Sequence, residues 1–356
     1  MLPGPVQEAL QQSLVDFEGQ GISLLSLSHR SERFDALMHS VQTRLRSLLD
    51  LSDEYEILLC GFGASLHFSA IPLNFLNEEG VAIYEMSGYW SDRAADEADH
   101  FGRIWRFQAP LNVSDAARQQ GMEVREHMLG PELPAYVHYC SNETIDGVSW
   151  PTLPDQWYGE FPCPVIADMS SDILTRPIHL DAHAMVYASA QKNLGITGLS
   201  VALIRKDMMG HARSQTPRLL NYEILADTHS VPNTAPVFPI YALEQTLIWI
   251  EQEGGVLAMH ARARQRSDLL YSFIDASELY LNDVPQLIRS QINVPFALRQ
   301  SGLTDPFLAG AEERGLLQLQ GHRSRGGVRA SLYNAMPMEG VIRLTEWMRE
   351  FEQQHG

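Results

Sequence analysis

The order of apolar runs and helical patterns predicts an α/β protein. A large domain with a mostly parallel sheet flanked by helices is expected, followed by a smaller C-terminal α+β domain. Three observations carry this reading. Between about residues 56 and 205, short apolar runs alternate with helical segments, the pattern that buries a parallel sheet between two helical layers. Beyond Ser277 the pattern changes to short strands alternating with two helices. The polar residues that invite chemistry fall at or just past the ends of the apolar runs, where open α/β sheets bind their ligands. The expected division is residues 1–260 for the large domain and 261–356 for the small one, with the first few residues candidates to pack with the latter.

Residues 6–17 place Val6, Leu10, Leu14 and Phe17 about one helical turn apart, and Gly19 and Gly21 end that helix. Residues 22–28 (ISLLSLS) read as an extended, Ser-rich stretch that delivers His29 and Arg30. A helix over 31–49 takes Ser31 as N-cap and Phe34, Leu37, Met38, Val41, Leu45 and Leu48 as its core face. A strand at 56–60 leads into Gly61-Phe62-Gly63-Ala64-Ser65, where a helix opens. Further strands are expected at 81–84, 103–107, 136–140, 165–168, 185–188 and 201–205, with helices at 91–100 and 114–129. Gly254-Gly255 separates two helices, 243–251 and 256–274. Last come strands at 294–298, 316–319 and 328–332, alternating with helices at 306–314 and 339–353.

A length of 356 residues suits about two domains. Apolar content of 45% and charge of 20% are ordinary for a soluble globular protein. The net charge of −18 argues against nucleic acid or an anionic membrane as partner. Small anionic substrates stay open, because local arginine and histidine clusters override the global sign. Cys60, Cys140 and Cys163 include no closely spaced pair, so free thiols in a reducing compartment are expected. The first residues lack the basic region and apolar core of a signal peptide. No apolar run approaches the roughly 18 residues of a membrane span. A cytoplasmic protein is the expectation.

The stretch 185–195, MVYASAQKNLG, begins as a buried strand and turns through Ser189-Ala190 to present Gln191, Lys192 and Asn193. Upstream, 164–168 is a second apolar run ending in Asp168. An acid and a lysine at the ends of consecutive strands suit pyridoxal 5′-phosphate: Asp168 pairs with the pyridinium nitrogen, and Lys192 forms a Schiff base with the aldehyde. A strand-end cap and a solvated loop charge account for the same two residues. The glycines before Ala64 let backbone N–H groups converge on a phosphate at a helix start. No Gly-Lys-Ser/Thr follows, and the dinucleotide fingerprint is absent. A tight turn into a helix is the plain alternative.

Trp90 offers a ring to stack on a planar cofactor, or a core side chain. Thr144, just past a strand end, offers a hydroxyl to the cofactor, or a loop cap. His29, Arg30, His322, Arg323 and Arg329 form a cationic set in an acidic chain, and arginine's fork binds carboxylate and phosphate in a bidentate way. Surface ion pairing is its competitor. His179, Asp181 and His183 have no second ligand cluster, so no metal site is expected. The three cysteines read as structural thiols.

Taken together, the chain resembles the phosphoserine aminotransferases, class V pyridoxal-phosphate enzymes of fold type I. The resemblance runs nearly end to end. It rests on Ser28-His29-Arg30-Ser31, on 138–147 (HYCSNETIDG), on Ala167-Asp168-Met169-Ser170-Ser171-Asp172, on Ala190-Gln191-Lys192-Asn193, on Gly321-His322-Arg323-Ser324 and on 329–337 (RASLYNAMP). It implies that Lys192 is the catalytic, cofactor-linked lysine and that Asp168 keeps the pyridinium protonated. It implies that Trp90 stacks on the ring, that Thr144 and Gln191 hydrogen-bond the cofactor, and that the backbone of Ala64 and Ser65 cradles its phosphate. Asn233-Thr234 matches a pair that the family supplies from the other subunit, which implies a homodimer with shared active sites. Arg329 would hold the substrate α-carboxylate, and His29, Arg30, His322 and Arg323 the phosphate or the side-chain carboxylate of glutamate.

The implied reaction moves an amino group between glutamate and 3-phosphohydroxypyruvate in serine biosynthesis, and 4-phosphohydroxy-threonine is a further candidate substrate, in pyridoxine biosynthesis. Phe62, His67 and Ser189 depart from the family's pattern, Ser189 standing where glycine is usual. A cysteine desulfurase would need a mobile loop cysteine, and none is so placed. A cofactor-binding protein without turnover would not need Lys192, Asp168 and Arg329 together.

Overall fold

The structure of the chain is a computed structural model that describes residues 2–108, 133–150 and 163–355. The helix expected at 114–129 lies outside them. Seven strands form the main sheet: β1 (Tyr55–Cys60), β2 (Val81–Glu85), β3 (Arg103–Phe107), β4 (Val137–Cys140), β5 (Val165–Asp168), β6 (Met185–Ser189) and β7 (Ser200–Arg205). Their order is β1-β7-β6-β5-β4-β2-β3. The pairs from β6 through β5, β4 and β2 to β3 are parallel, and β7 runs antiparallel to both β1 and β6.

Alternate side chains of these strands feed two cores, as the period of two requires. On one face Ile57, Leu59, Ala167, Val186 and Leu203 meet helices α1 (Gly4–Val15), α2 (Glu32–Leu48) and α6 (Val237–Gln252). On the other, Leu58, Cys60, Ile166, Tyr187 and Ala202 meet α3 (Ala64–Phe75), α4 (Tyr89–Ala98) and α5 (Tyr222–Asp227). Ser31 caps α2 as expected, its hydroxyl accepting the Phe34 N–H at 3.2 Å. Helix α7 (Gly255–Ala276) runs on to a third core, placing Met259 in the first and Leu270 and Ile274 in the third. That third core joins β8 (Tyr280–Leu281), β9 (Asn293–Leu298) and β10 (Val328–Ser331), an antiparallel sheet in the order β10-β9-β8, to α8 (Thr304–Glu313) and α9 (Met338–His355). Within it Phe307 stacks on Trp347, and Phe351 meets both rings edge-on.

The structure corrects several boundaries. Residues 22–28 are not extended: Leu24–Ser26 is a 3-10 turn, capped by the Ser23 hydroxyl, which accepts the Leu25 N–H at 3.2 Å. Serine hydroxyls compete for backbone groups in this way. The strand expected at 316–319 is absent. Gln318 sits at a φ of 61°, and only a bridge from Gln320 to Val328 remains. Helix α6 starts at Val237, ahead of the expected 243, because Pro239 falls in its first turn, where a missing N–H costs nothing. Leu14, spaced one helical turn from Leu10, is exposed.

Candidate active site

The parallel strands β4, β5 and β6 end side by side. In register, Cys140 stands beside Asp168, and Asp168 beside Tyr187. The loop after β4, the carboxylate ending β5 and the turn after β6 therefore share one sheet edge. Asp168 is buried, and Ser170 donates its N–H to Oδ1 at 2.8 Å. Burial holds the Asp168 carboxyl above the usual range, and the ammonium of Lys192 pulls the other way. Lys192 Nζ lies 5.7 Å from the centroid of the Trp90 ring.

Trp90 is fixed at both ends. Its Nε1–H donates to Thr144 Oγ1 at 2.9 Å, and its backbone N–H donates to Glu143 Oε2 at 2.9 Å. Glu143 also accepts the Ser91 N–H at 2.7 Å and the Ser91 hydroxyl at 2.8 Å, while Asp146 accepts the Tyr89 N–H at 2.9 Å. Two carboxylates from the β4 loop thus take up orphan donors at the start of α4, where negative charge is favoured. A Cβ on Gly88 would lie 2.4 Å from Asp146 Oδ2 and 2.8 Å from Glu143, so glycine there admits both acids. This is why α4 begins at Tyr89 rather than at the expected 91.

Burial pushes the Glu143 carboxyl up to about 7, against the donors that lower it. An acid with a raised folded pKa binds its proton more tightly when folded. Its stabilising contribution is therefore present below its ordinary value of 4.5 and is lost as pH rises through 7. The difference is about 3 kcal/mol at most. Between pH 5 and 8 the melting temperature of the wild type should fall by a few degrees more than that of Glu143→Gln. Parallel curves would remove Glu143 from this role.

Arg329, on β10, donates from its guanidinium to the Thr144 carbonyl at 3.1 Å, which ties the second sheet to the loop that holds Trp90. Asn193 reinforces this junction: its amide donates to the Ser171 carbonyl at 2.7 Å, and its oxygen accepts the Asn334 N–H at 3.0 Å. Asn142 does the same toward Asn293, at 3.0 Å.

At the C-terminal end of β1, Gly63 precedes α3 and no side chain caps that helix. Beside it the Ser189 hydroxyl donates to Gln191 Oε1. Ala64 is half-buried, and Ser65 and Gln191 are exposed. His322 reaches the edge of the site: its ring lies 5.2 Å from that of Tyr89, which meets Trp90 edge-on at 5.2 Å. Arg323 is exposed and lines a groove with Arg329 and Tyr333. Asn233 and Thr234 are exposed between α5 and α6, and Arg30 is exposed beside half-buried His29 before α2. The structure therefore brings Trp90, Thr144, Asp168, Lys192 and Arg329 together, with Gln191, Ala64 and Ser65 around one adjoining cradle. Among the described residues, His29, Arg30, Asn233 and Thr234 share no hydrogen bond with that cluster.

The donor set fits a planar cationic heterocycle that carries an anion. A buried carboxylate whose charge burial disfavours needs a cation beside it, an indole flanks the lysine, and an uncapped helix start lies alongside. His183 is engaged through both ring nitrogens, with the Tyr139 hydroxyl at 2.8 Å and the His179 carbonyl at 3.0 Å. Among the described residues no group of three or more His, Cys, Asp or Glu could hold a metal. Burial pushes the Cys60 thiol up to about 12 and raises that of Cys140, which makes both poor nucleophiles.

The family model for class-V aminotransferases matches residues 1–344. The chain belongs to the class-V aminotransferases. It is 42% identical to the phosphoserine aminotransferase of Pseudomonas aeruginosa PAO1 over 358 aligned residues, which cover all of this chain and 96% of the relative. The phosphoserine aminotransferase of Azotobacter vinelandii is 44% identical over 355 residues, at the same coverage. Among solved structures, phosphoserine aminotransferase from Bacillus circulans subsp. alkalophilus superposes with a TM-score of 0.90 at 37% identity, covering 100% of this chain and 97% of that one. The pyridoxal-phosphate-bound enzyme from Trichomonas vaginalis gives 0.88 at 33% identity, covering 98% and 97%. The α/β architecture expected from the sequence is thus the fold of pyridoxal-phosphate aminotransferases. In this class-V aminotransferase, sequence reasoning missed Glu143 and Asp146 as holders of α4. The signal available was two acids bracketing Thr144 just past a strand end.

Proposed function

We propose that the chain is a pyridoxal 5′-phosphate-dependent phosphoserine aminotransferase, which exchanges an amino group between glutamate and 3-phosphohydroxypyruvate to give phosphoserine and 2-oxoglutarate. The observation that carries the reading is the convergence of Asp168, Lys192, Trp90 and Arg329 on one sheet edge. Full-length likeness to phosphoserine aminotransferases supports the choice of substrate.

When bound, pyridoxal phosphate supplies an electron sink that acidifies the substrate Cα–H. Asp168 holds the proton of the ring nitrogen. Trp90, locked by Thr144 and Glu143, presents its face to the ring. Gln191 and the first N–H groups of α3, at Ala64 and Ser65, receive the cofactor phosphate. Lys192 Nζ would accept the substrate Cα proton as general base and release it again as general acid. Arg329 forks onto the α-carboxylate that both substrates share. His29, Arg30, His322 and Arg323 take the substrate phosphate, or the distal carboxylate of glutamate in the other half-reaction.

Asn233 and Thr234 serve the phosphate site of a second copy, so the working unit is a homodimer. Residues 1–260 form the cofactor-binding domain and 261–356 the small domain. Serine biosynthesis in the cytoplasm is the setting that follows, with 4-phosphohydroxy-threonine as a further candidate substrate. Among the described residues no helix is long and apolar enough to cross a membrane.

Protein incubated with pyridoxal phosphate should turn yellow, and the visible band should shift on adding glutamate or phosphoserine. A protein that stayed colourless would overturn the reading. Arg329→Ala should raise KM about 30-fold or more for both amino donor and oxo-acid acceptor. An effect on one substrate alone would show that Arg329 does not hold the shared carboxylate.

A further inference from the structure

Phe62 and His67 are near neighbours in the chain and Ser189 lies far downstream, yet the fold packs all three together at the start of α3. Ser189 and Ser200 stand directly opposite each other on β6 and β7, and Cys60 stands opposite Ser200 on β1. His67, in the second turn of α3, is fully buried. Its Nε2 meets the Ser200 hydroxyl at 2.9 Å and its Nδ1 meets the Tyr222 hydroxyl at 2.7 Å. Its ring lies 5.0 Å from Phe62 and 4.8 Å from Tyr187. Burial lowers the His67 pKa to about 3, so it stays neutral and adds no charge beneath the cradle. The start of α3 is thereby clamped onto the ends of β6 and β7.

The clamp sets Ser189 at the point where its side chain matters. The Ser189 N–H is already donated to the Ser170 hydroxyl at 3.0 Å. Its own hydroxyl donates to Gln191 Oε1 and stands 3.4 Å from where a Cβ on Gly63 would be. Gln191 is otherwise exposed, with three side-chain torsions to fix, and it makes no other hydrogen bond among the described residues.

We propose that Ser189 is a positioning residue: its hydroxyl holds the oxygen of the Gln191 amide and so turns the Nε2 donors toward the cofactor phosphate at the start of α3. This rests on the pyridoxal-phosphate reading above. An amide carries one acceptor and two donors on opposite atoms. Anchoring the acceptor removes the orientation that would turn carbonyl oxygen against phosphate oxygen. It also removes part of the torsional entropy that Gln191 would otherwise lose on binding. A serine two residues before Gln191 is thus built into cofactor affinity without touching the reacting atoms.

The test is a double-mutant cycle on the apoenzyme, with cofactor binding followed by quenching of tryptophan fluorescence. Ser189→Ala should weaken pyridoxal 5′-phosphate binding about threefold to tenfold, the range of one neutral hydrogen bond. In a Gln191→Ala background, the same substitution should change binding by less than about twofold. Pyridoxal, which lacks the phosphate, should bind wild type and Ser189→Ala alike. The melting temperature of the apoenzyme checks that the turn is intact. An equal loss in both backgrounds, an equal loss for pyridoxal, or no loss in Ser189→Ala would each overturn the assignment. Wild type that failed to bind pyridoxal phosphate at all would instead sink the cofactor reading on which it stands.

Discussion

Lys192→Ala will lose amino transfer by at least about a thousandfold while keeping the fold. A positioned acid–base group contributes roughly 10²–10⁴ to a proton transfer, and in the proposed function this lysine would also provide the covalent link to the cofactor. The side chain is half-buried and makes no hydrogen bond among the described residues, so truncation leaves none of their buried groups stranded. Its nearest described ring is Trp90, at 5.7 Å, and a cation–π contact of this kind is worth about 1 kcal/mol. The melting temperature of the apoenzyme should therefore move by only a few degrees. Single-turnover reaction with glutamate measures the chemical step, and added small amines should restore part of it by supplying the missing base. Activity within tenfold of wild type would take Lys192 out of the chemistry.

How much of this was legible in the sequence depends on how local the cause is. The strands of the large sheet could be read because apolar runs of four to six residues are buried on both faces, and burial is written directly into residue type. Asp168 and Lys192 were legible for the same reason: each follows such a run, and parallel strands end together. The helix starts were less so. Tyr89 begins α4 because acids 52 to 57 residues later reach back to its N–H groups, a partnership no local pattern carries. The missing strand at 316–319 failed on one backbone angle, at Gln318. Ser189 read only as a serine where glycine is usual, whereas its consequence lies in a hydrogen bond to a side chain two residues on, which only the turn geometry reveals.

Asp168→Asn should split two properties that most substitutions move together. Without cofactor, the buried carboxylate is a cost: burial raises its pKa above the unfolded value, so the folded state holds the proton more tightly. Stability is then lost as pH rises from the unfolded value through the folded one, and above both the ionised group stays a penalty. Asparagine keeps an oxygen for the Ser170 N–H and removes the charge. The apoenzyme of the variant should therefore melt higher than wild type at pH 8, with the gap closing toward acid pH. With cofactor the order reverses. Breaking a buried ion pair by removing one partner costs about 3–5 kcal/mol. That corresponds to roughly 10²–10⁴ in the rate of substrate Cα–H removal, because in the proposed function the ring nitrogen would no longer keep its proton. Melting of apo and loaded forms across pH 5–8, together with the primary deuterium isotope effect on the glutamate half-reaction, reads both halves. A variant that melted below wild type as apoenzyme at pH 8, or that kept wild-type turnover, would show that Asp168 holds the loop together and does not serve as counter-charge to the ring.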